Sequence, residues 1–265
     1  MADARSTSRR VLAAVPLVLV CAFLVFPLLI VVLSSFSDRN SFRFPPDGWS
    51  LRWYGQVFEN AQWLQSLSVS AQLVLIVVPL VVILGTLGGY AVGAGEFPGR
   101  RVLALVFLAP IAVPAVMLGL ALLHQLQGAG LVGTPVALVL AHLLVTFPFC
   151  VRVAAVSAAG IDPRLNRAAR SLGASPLRAF LTVTLPLMRP GILAAAFLGA
   201  VISLGEVAVS VFVAGASGVT VPVRVYSAVQ VQLEPTIAAV STLLLAASVL
   251  VIALLDRFLN VSRLL

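Results

Sequence analysis

The chain has 265 residues, 61% of them hydrophobic and only 10% charged, with a mean hydropathy of +1.11 and a formal net charge of +8. A water-soluble domain of this length carries roughly a quarter charged residues, so the composition excludes one and points to the bilayer as solvent, where apolar side chains can cover the outside of the fold. All 17 basic residues are Arg; a Walker-type phosphate loop needs a Lys reaching the phosphates, so that means of binding ATP is excluded.

Six apolar runs read as membrane-spanning helices, near residues 11–34, 67–92, 102–124, 133–151, 190–213 and 237–255. Each suffices to cross ~30 Å of hydrocarbon at ~1.5 Å rise per residue. They predict an all-α, six-helix, polytopic membrane protein forming one domain over residues 1–265. The first run follows Arg5, Arg9 and Arg10, but it is too long for a secretory signal and no small-x-small cleavage site follows it. Between the first and second spans, a loop over 35–66 carries Trp49, Trp53, Tyr54 and Trp63. These are interfacial anchors or a surface for an extracytoplasmic partner.

Prolines interrupt the next three spans: Pro79 the second, Pro110 and Pro114 the third, Pro135 and Pro148 the fourth. Each removes a backbone donor and favours a kink. Small residues cluster at Gly85, Gly88 and Gly89 in the second span and at Ala194, Ala195, Ala196, Gly199 and Ala200 in the fifth. They permit close approach of helices. Cys21 and Cys150 both lie in apolar runs and read as small inert hydrophobes.

With the N-terminus inside, thirteen Arg fall on the inner side and four (Arg39, Arg43, Arg52 and Arg224) on the outer. This bias predicts cytoplasmic termini. The basic excess is thus a topology signal and gives no reason to invoke nucleic acid.

The longest inner loop, residues 152–189, has internal order. Asp162-Pro163 is a helix start, with an N-cap acid and Pro at the first position. Leu165, Ala168, Ala169 and Leu172 then recur at the spacing of one helical face. Arg164, Arg167 and Arg170 occupy another, and Gly173 closes the helix. Ser175-Pro176 starts a second helix, and Leu185-Pro186 and Arg189-Pro190 break the chain before the fifth span. Two short helices with a sharp bend suit either docking to another protein or lying on lipid headgroups with Arg on phosphate.

Residues 167–186 read Arg-Ala-Ala, three residues, Gly, nine residues, Val, one residue, Leu-Pro. This resembles the signature of permease subunits of binding-protein-dependent ABC importers, in which Glu stands where this chain has Arg167. Phe26-Pro27, Ser34-Ser35-Phe36, Trp53-Tyr54 and Phe97-Pro98-Gly99-Arg100 extend the likeness. So does the stretch from Ser203-Leu204-Gly205-Glu206 to Phe212, with Val221-Pro222-Val223, Tyr226-Ser227 and Glu234-Pro235. Together they look like the second permease subunit of spermidine/putrescine-type importers.

The resemblance implies a type I importer permease of the bacterial cytoplasmic membrane that forms half a pore and catalyses no chemistry. It implies cytoplasmic coupling helices carrying Leu165, Arg167, Ala168, Ala169, Leu172, Gly173, Leu185 and Pro186 to dock an ATPase. The implied partners are two ATPase subunits, which bind the ATP and Mg that this chain does not, a second and different permease chain, an extracytoplasmic substrate-binding protein, and membrane lipid. The implied solute is a polyamine or a similar small cation or zwitterion. Relatives for aminoethylphosphonate, opines, iron or anions keep that choice open.

Glu206 stands apart, about 22 Å along the ~30 Å path of the fifth span. A carboxylate there is a candidate counter-charge for a cationic solute; the alternative is a structural hydrogen bond. The family usually has acids at both positions, where this chain has Gly205 and Glu206. His124 and His142 lack neighbours at metal-ligand spacing and read as packing or hydrogen-bonding residues. A secondary transporter or a membrane scaffold are the rival readings; neither explains the loop motif.

Overall fold

The computed structural model describes residues 2–40, 44–215, 218–231 and 234–259; Arg43 and Arg263, counted in the orientation argument, lie outside them. The helices in chain order are α1 (Ala2–Ser34), α2 (Arg52–Glu59), α3 (Ala61–Ala94), α4 (Arg100–Ala112), α5 (Ala115–Gly128), α6 (Pro135–Ala159), α7 (Pro163–Ser171), α8 (Pro176–Ala179), α9 (Leu185–Leu187), α10 (Arg189–Gly205), α11 (Ser210–Val213), α12 (Val221–Val231) and α13 (Pro235–Leu259). A π-helical turn, Phe180–Thr184, joins α8 to α9. Among the described residues the sole strand-like pairing is an isolated bridge between Ser37 and Trp49.

Three helices, the Val15–Ser34 part of α1, α3 and α6, are long and apolar enough to cross a membrane. Two bent pairs, α4 with α5 and α8–α9 with α10, bring the number to five if each pair is one span. The described apolar part of α13, Pro235–Val251, is shorter.

Several expected boundaries move for local reasons. The third span is two helices meeting at 104°. Pro114 disfavours helix at the residue before it, and Val113 is extended at φ −95°, ψ 132°. Pro79 and Pro148, in contrast, stay inside continuous helices. Pro135 does not interrupt the fourth span. It opens α6 at its first turn, where Thr134 Oγ1 accepts from the Ala137 amide at 3.3 Å. Helix α6 runs on to Ala159, so Arg152 is helical rather than the start of the loop. The fifth span stops being helical at Gly205 and resumes only at Ser210.

The chain divides into two compact units, Met1–Ala61 with Ser227–Leu245, and Gln62–Tyr226 with Ala246–Leu265. In the first unit the described side chains from Val15 to Leu29 of α1 are exposed, a lipid-compatible surface. The segment after it is a small aromatic knot. Ser35 Oγ donates to the Val32 carbonyl and so takes the Tyr54 hydroxyl as its donor, both at 2.6 Å. Trp53 Nε1 donates to the Ser37 carbonyl at 2.7 Å, and the Phe36 ring lies 5.4 Å from that of Tyr54. Trp53 is therefore buried, while Trp49 stays exposed.

In the second unit α6 packs against both α3 and α10 through small residues. A Cβ at Gly85 would stand 2.8 Å from Cys150 Cβ, and one at Gly89 would overlap Ala154 and approach the Ala155 nitrogen at 2.8 Å. On the other side a Cβ at Gly199 would lie 3.5 Å from Cys150 Sγ, and one at Gly191 would collide with Ser157. The clusters predicted for close helix contact thus meet at α6. Cys150 is fully buried there, its thiol directed at the Ala195 carbonyl at 3.2 Å. A further core joins Leu73, Val77, Leu126, Leu138, Val209 and Val213. Arg100 ends α3 by donating to the carbonyls of Val92, Gly93 and Gly95 at 2.7, 3.1 and 3.1 Å. A guanidinium there satisfies acceptors that have no helical partner.

Candidate functional site

Capping residues build the segment between α6 and α10. Asp162 Oδ1 accepts from the Arg164 amide at 2.8 Å, and Pro163 occupies the first turn of α7. The helix ends in a left-handed Gly173 at φ 91°. The Gly173 amide donates to Arg170 O at 3.0 Å and the Ala174 amide to Ala169 O at 3.1 Å, which is the Schellman arrangement. Ser175 Oγ then accepts from the Arg178 amide at 3.3 Å and starts α8. Each feature follows from short-range sequence, so the hairpin forms where the spacing predicts.

The predicted apolar face of α7 is divided in the structure. Leu165, Ala168 and Leu172 are exposed, Leu172 at 90%, whereas Ala169 is half-buried. Arg164, Arg167 and Arg170 are exposed as well. The inward side holds a residue that the pattern did not single out: Asn166 Nδ2 donates to Thr184 Oγ1 at 3.3 Å, fixing α7 to the π-helical turn. That turn is held to α3 by the Tyr90 and Phe180 rings, 4.8 Å apart. Leu185 and Pro186 are half-buried and line an apolar groove of about 520 Å³ with Val82, Ile83 and Leu87. A helix tied down by its polar side, with leucines facing outward, displays apolar surface that nothing else in the described chain covers.

Glu206 lies at the far end of α10, about 25 Å away along a 17-residue helix. It is 8% exposed. Its Oε1 accepts from the Val209 amide at 2.6 Å, so the carboxylate caps the turn that follows the helix break. The same break engages His142 of α6, which is fully buried. Its Nδ1 is 2.8 Å from Ser203 Oγ on α10, and its Nε2 is 2.9 Å from Ser210 Oγ on α11. Thr146 Oγ1 donates to the His142 carbonyl at 2.6 Å. The hydrogen-bonding role expected of His142 is thus specific: one ring bridges the two sides of the break. The structure does not bring Glu206 and the residues of α7 together. No cluster of three His, Cys, Asp or Glu able to hold a metal occurs among the described residues.

Comparison with known proteins supplies the frame. Residues 85–262 match the family described as binding-protein-dependent transport system inner membrane component. Over 232 residues the chain is 31% identical to the putrescine transport system permease protein PotI of Escherichia coli (strain K12), covering 85% of this chain and 82% of PotI. It is 28% identical to the spermidine/putrescine transport system permease protein PotC of Haemophilus influenzae, covering 89% of this chain and 91% of PotC. A solved bacterial ABC transporter involved in import of the acidic polysaccharide alginate has the same fold, with a TM-score of 0.75 and 17% identity over 94% of this chain and 95% of that one.

Proposed function

We infer from the chain's family, since it belongs to the binding-protein-dependent transport system inner membrane components and is a permease subunit of an ABC importer rather than an enzyme, that α7 is the element through which a separate ATPase drives it. The observation that carries this reading is the outward stripe of Leu165, Ala168 and Leu172 on a helix anchored by Asn166 to Thr184. Arg167, Ala169 and Gly173 complete the docking element, and Leu185 and Pro186 seat its base on α3. An ATPase cleft would cover the leucines, and the rigid tie through the π-helical turn would pass the motion on toward α10. Headgroup phosphates would engage the arginines but leave Leu172 without an apolar partner at the hairpin's tip.

In this reading two ATPase subunits bind the ATP and Mg, and this chain contributes no cofactor. A second, different permease completes the pore, and an extracytoplasmic binding protein delivers the solute. The Arg distribution supports cytoplasmic termini in a bacterial inner membrane. The solute is a polyamine or a similar small cation or zwitterion. The support is that PotI is named for putrescine and PotC for spermidine and putrescine, each similar to this chain over more than four-fifths of its length.

The test is purification of the chain from its native membrane in mild detergent with identification of every associated protein. An ATPase with a Walker motif and a second permease are expected, with crosslinking to the ATPase from Ala169→Cys. Calorimetry of the associated binding protein against putrescine, spermidine and anions then reads the solute class. Absence of an ATPase even after crosslinking would overturn the docking reading.

A further inference from the structure

The break between α10 and α11 carries more polar chemistry than a chain turn in hydrocarbon needs. A helix that stops inside the membrane leaves amides and carbonyls that lipid cannot satisfy. One carboxylate could serve one of them, and Glu206 does so at Val209. Yet the break also has a histidine from another helix, hydrogen-bonded to a serine on each side. Neutral imidazole has one donor and one acceptor nitrogen on opposite edges of a rigid ring. Serine hydroxyls take either role, so the ring joins Ser203 and Ser210 whichever tautomer is present.

The surroundings allow little slack. Val209 and Val213 are fully buried with Leu73, Val77 and Leu138. A Cβ at Gly119 of α5 would overlap the Phe212 ring and stand 3.2 Å from the Ala208 carbonyl. Helix α11 is therefore enclosed on several sides, and Glu206 faces its own backbone.

We propose that His142 is a positioning residue that clamps the α10–α11 break into one geometry, and that Glu206 serves transport as the backbone cap of that break rather than as a counter-charge to the solute. The clamp makes α10 and α11 move as one body, so motion entering α10 at Arg189 reaches the outer half of the bundle. This rests on the importer reading. The two ideas fail separately, because the clamp is measured locally and the importer by its partners.

The experiment uses the complete importer in lipid nanodiscs, with amide hydrogen exchange read over residues 203–213 by mass spectrometry and with labelled putrescine uptake measured in proteoliposomes. Glu206→Gln keeps an oxygen for the Val209 amide while removing the charge. It is expected to keep slow exchange at Val209 and uptake within about threefold of the natural chain. Glu206→Ala and His142→Ala are expected to speed exchange across 203–213 by tenfold or more. They should lower the maximal uptake rate without raising the putrescine concentration for half-maximal uptake. Ser203→Ala with Ser210→Ala should reproduce His142→Ala, and adding them to it should change nothing further. Since loss of a buried His can unfold a chain, the serine pair, which removes only two hydroxyls, is the deciding variant. Unchanged exchange in that pair overturns the clamp. Slow exchange in Glu206→Gln together with uptake as weak as in Glu206→Ala overturns the capping role and restores the counter-charge. If the natural assembly takes up no putrescine, the exchange data alone decide, against or for the clamp.

Discussion

The α7 hairpin and the α10–α11 break invert the usual relation between polarity and burial. On the hairpin, Leu165 and Leu172 are exposed and Asn166 faces inward. At the break, inside an apolar bundle, Glu206, His142, Ser203 and Ser210 are all buried. The inversion has a different cause in each place. The hairpin's stripe has no apolar partner among the described residues, and the proposed docking to a second protein rests on that. The break is buried, so its polar groups are paired with one another within the chain. An interface is thus read from what a region leaves uncovered, and an internal joint from what it encloses.

The sharpest way to break that comparison is to make the same substitution in both regions. Val209→Asp places a carboxylate in the apolar cluster of Leu73, Val77, Leu138 and Val213. A cost above about 4 kcal/mol is expected, which is enough to abolish membrane accumulation. Leu172→Asp changes an exposed residue and should leave thermal stability of the isolated chain within about 0.5 kcal/mol. Its effect appears on assembly: loss of an apolar anchor of about 2 kcal/mol weakens ATPase retention roughly thirtyfold. Equal loss of accumulation in both variants would mean that Leu172 is covered within this chain and that the contrast is false.

A smaller effect tests whether the hairpin's inward side matters. Asn166→Ala removes the bond to Thr184 and should cost about 1 kcal/mol locally. The exposed stripe is untouched, so ATPase binding should persist while uptake per ATP hydrolysed falls, since α7 would pivot on its caps instead of transmitting force. Thr184→Val should give the same result, and the double variant no more than either alone. Stoichiometry of uptake against phosphate release is the measurement.

What the sequence made legible follows the same division. The hairpin was readable because caps act over three or four residues: Asp162, Pro163, Gly173, Ser175 and Pro176 each declare themselves locally. The apolar runs were readable because hydropathy needs no partner; three are long single helices, two more belong to bent pairs, and the described part of the sixth is shorter. The orientation of α7 was not, because Asn166 meets Thr184 only after the chain has turned back. The break was hidden further, since Ser203 and Ser210 lie 61 and 68 residues from His142. Gly205 and Glu206 were the local signs that α10 ends there, and the apolar residues on either side outweighed them. At Val113 the sign was plain, because a residue before proline avoids helix, and only the size of the bend came from the structure.

The smallest expected effect bears on the departure at Arg167. Among the described residues of α7 the one acid nearby, Asp162, is occupied by the Arg164 amide, and Arg167 is exposed. On the proposed docking reading the hairpin would offer its partner the exposed Arg164, Arg167, Arg170 and Arg178, and the matching ATPase cleft should carry acids. A single exposed charge pair contributes about 0.2–1 kcal/mol, and a like-charge contact costs a similar amount. Arg167→Glu should accordingly weaken ATPase retention about twofold to thirtyfold, at most as much as Leu172→Asp. The signature is salt: with a Debye length of about 8 Å at physiological ionic strength, raising salt should erase the difference between Arg167→Glu and the natural chain while the defect of Leu172→Asp persists. An acid-to-Arg change in the ATPase cleft should restore Arg167→Glu at low salt. If Arg167→Glu instead binds the ATPase more tightly, the cleft has kept a basic residue for the Glu usual in the family, and Leu165, Ala168 and Leu172 alone hold the joint.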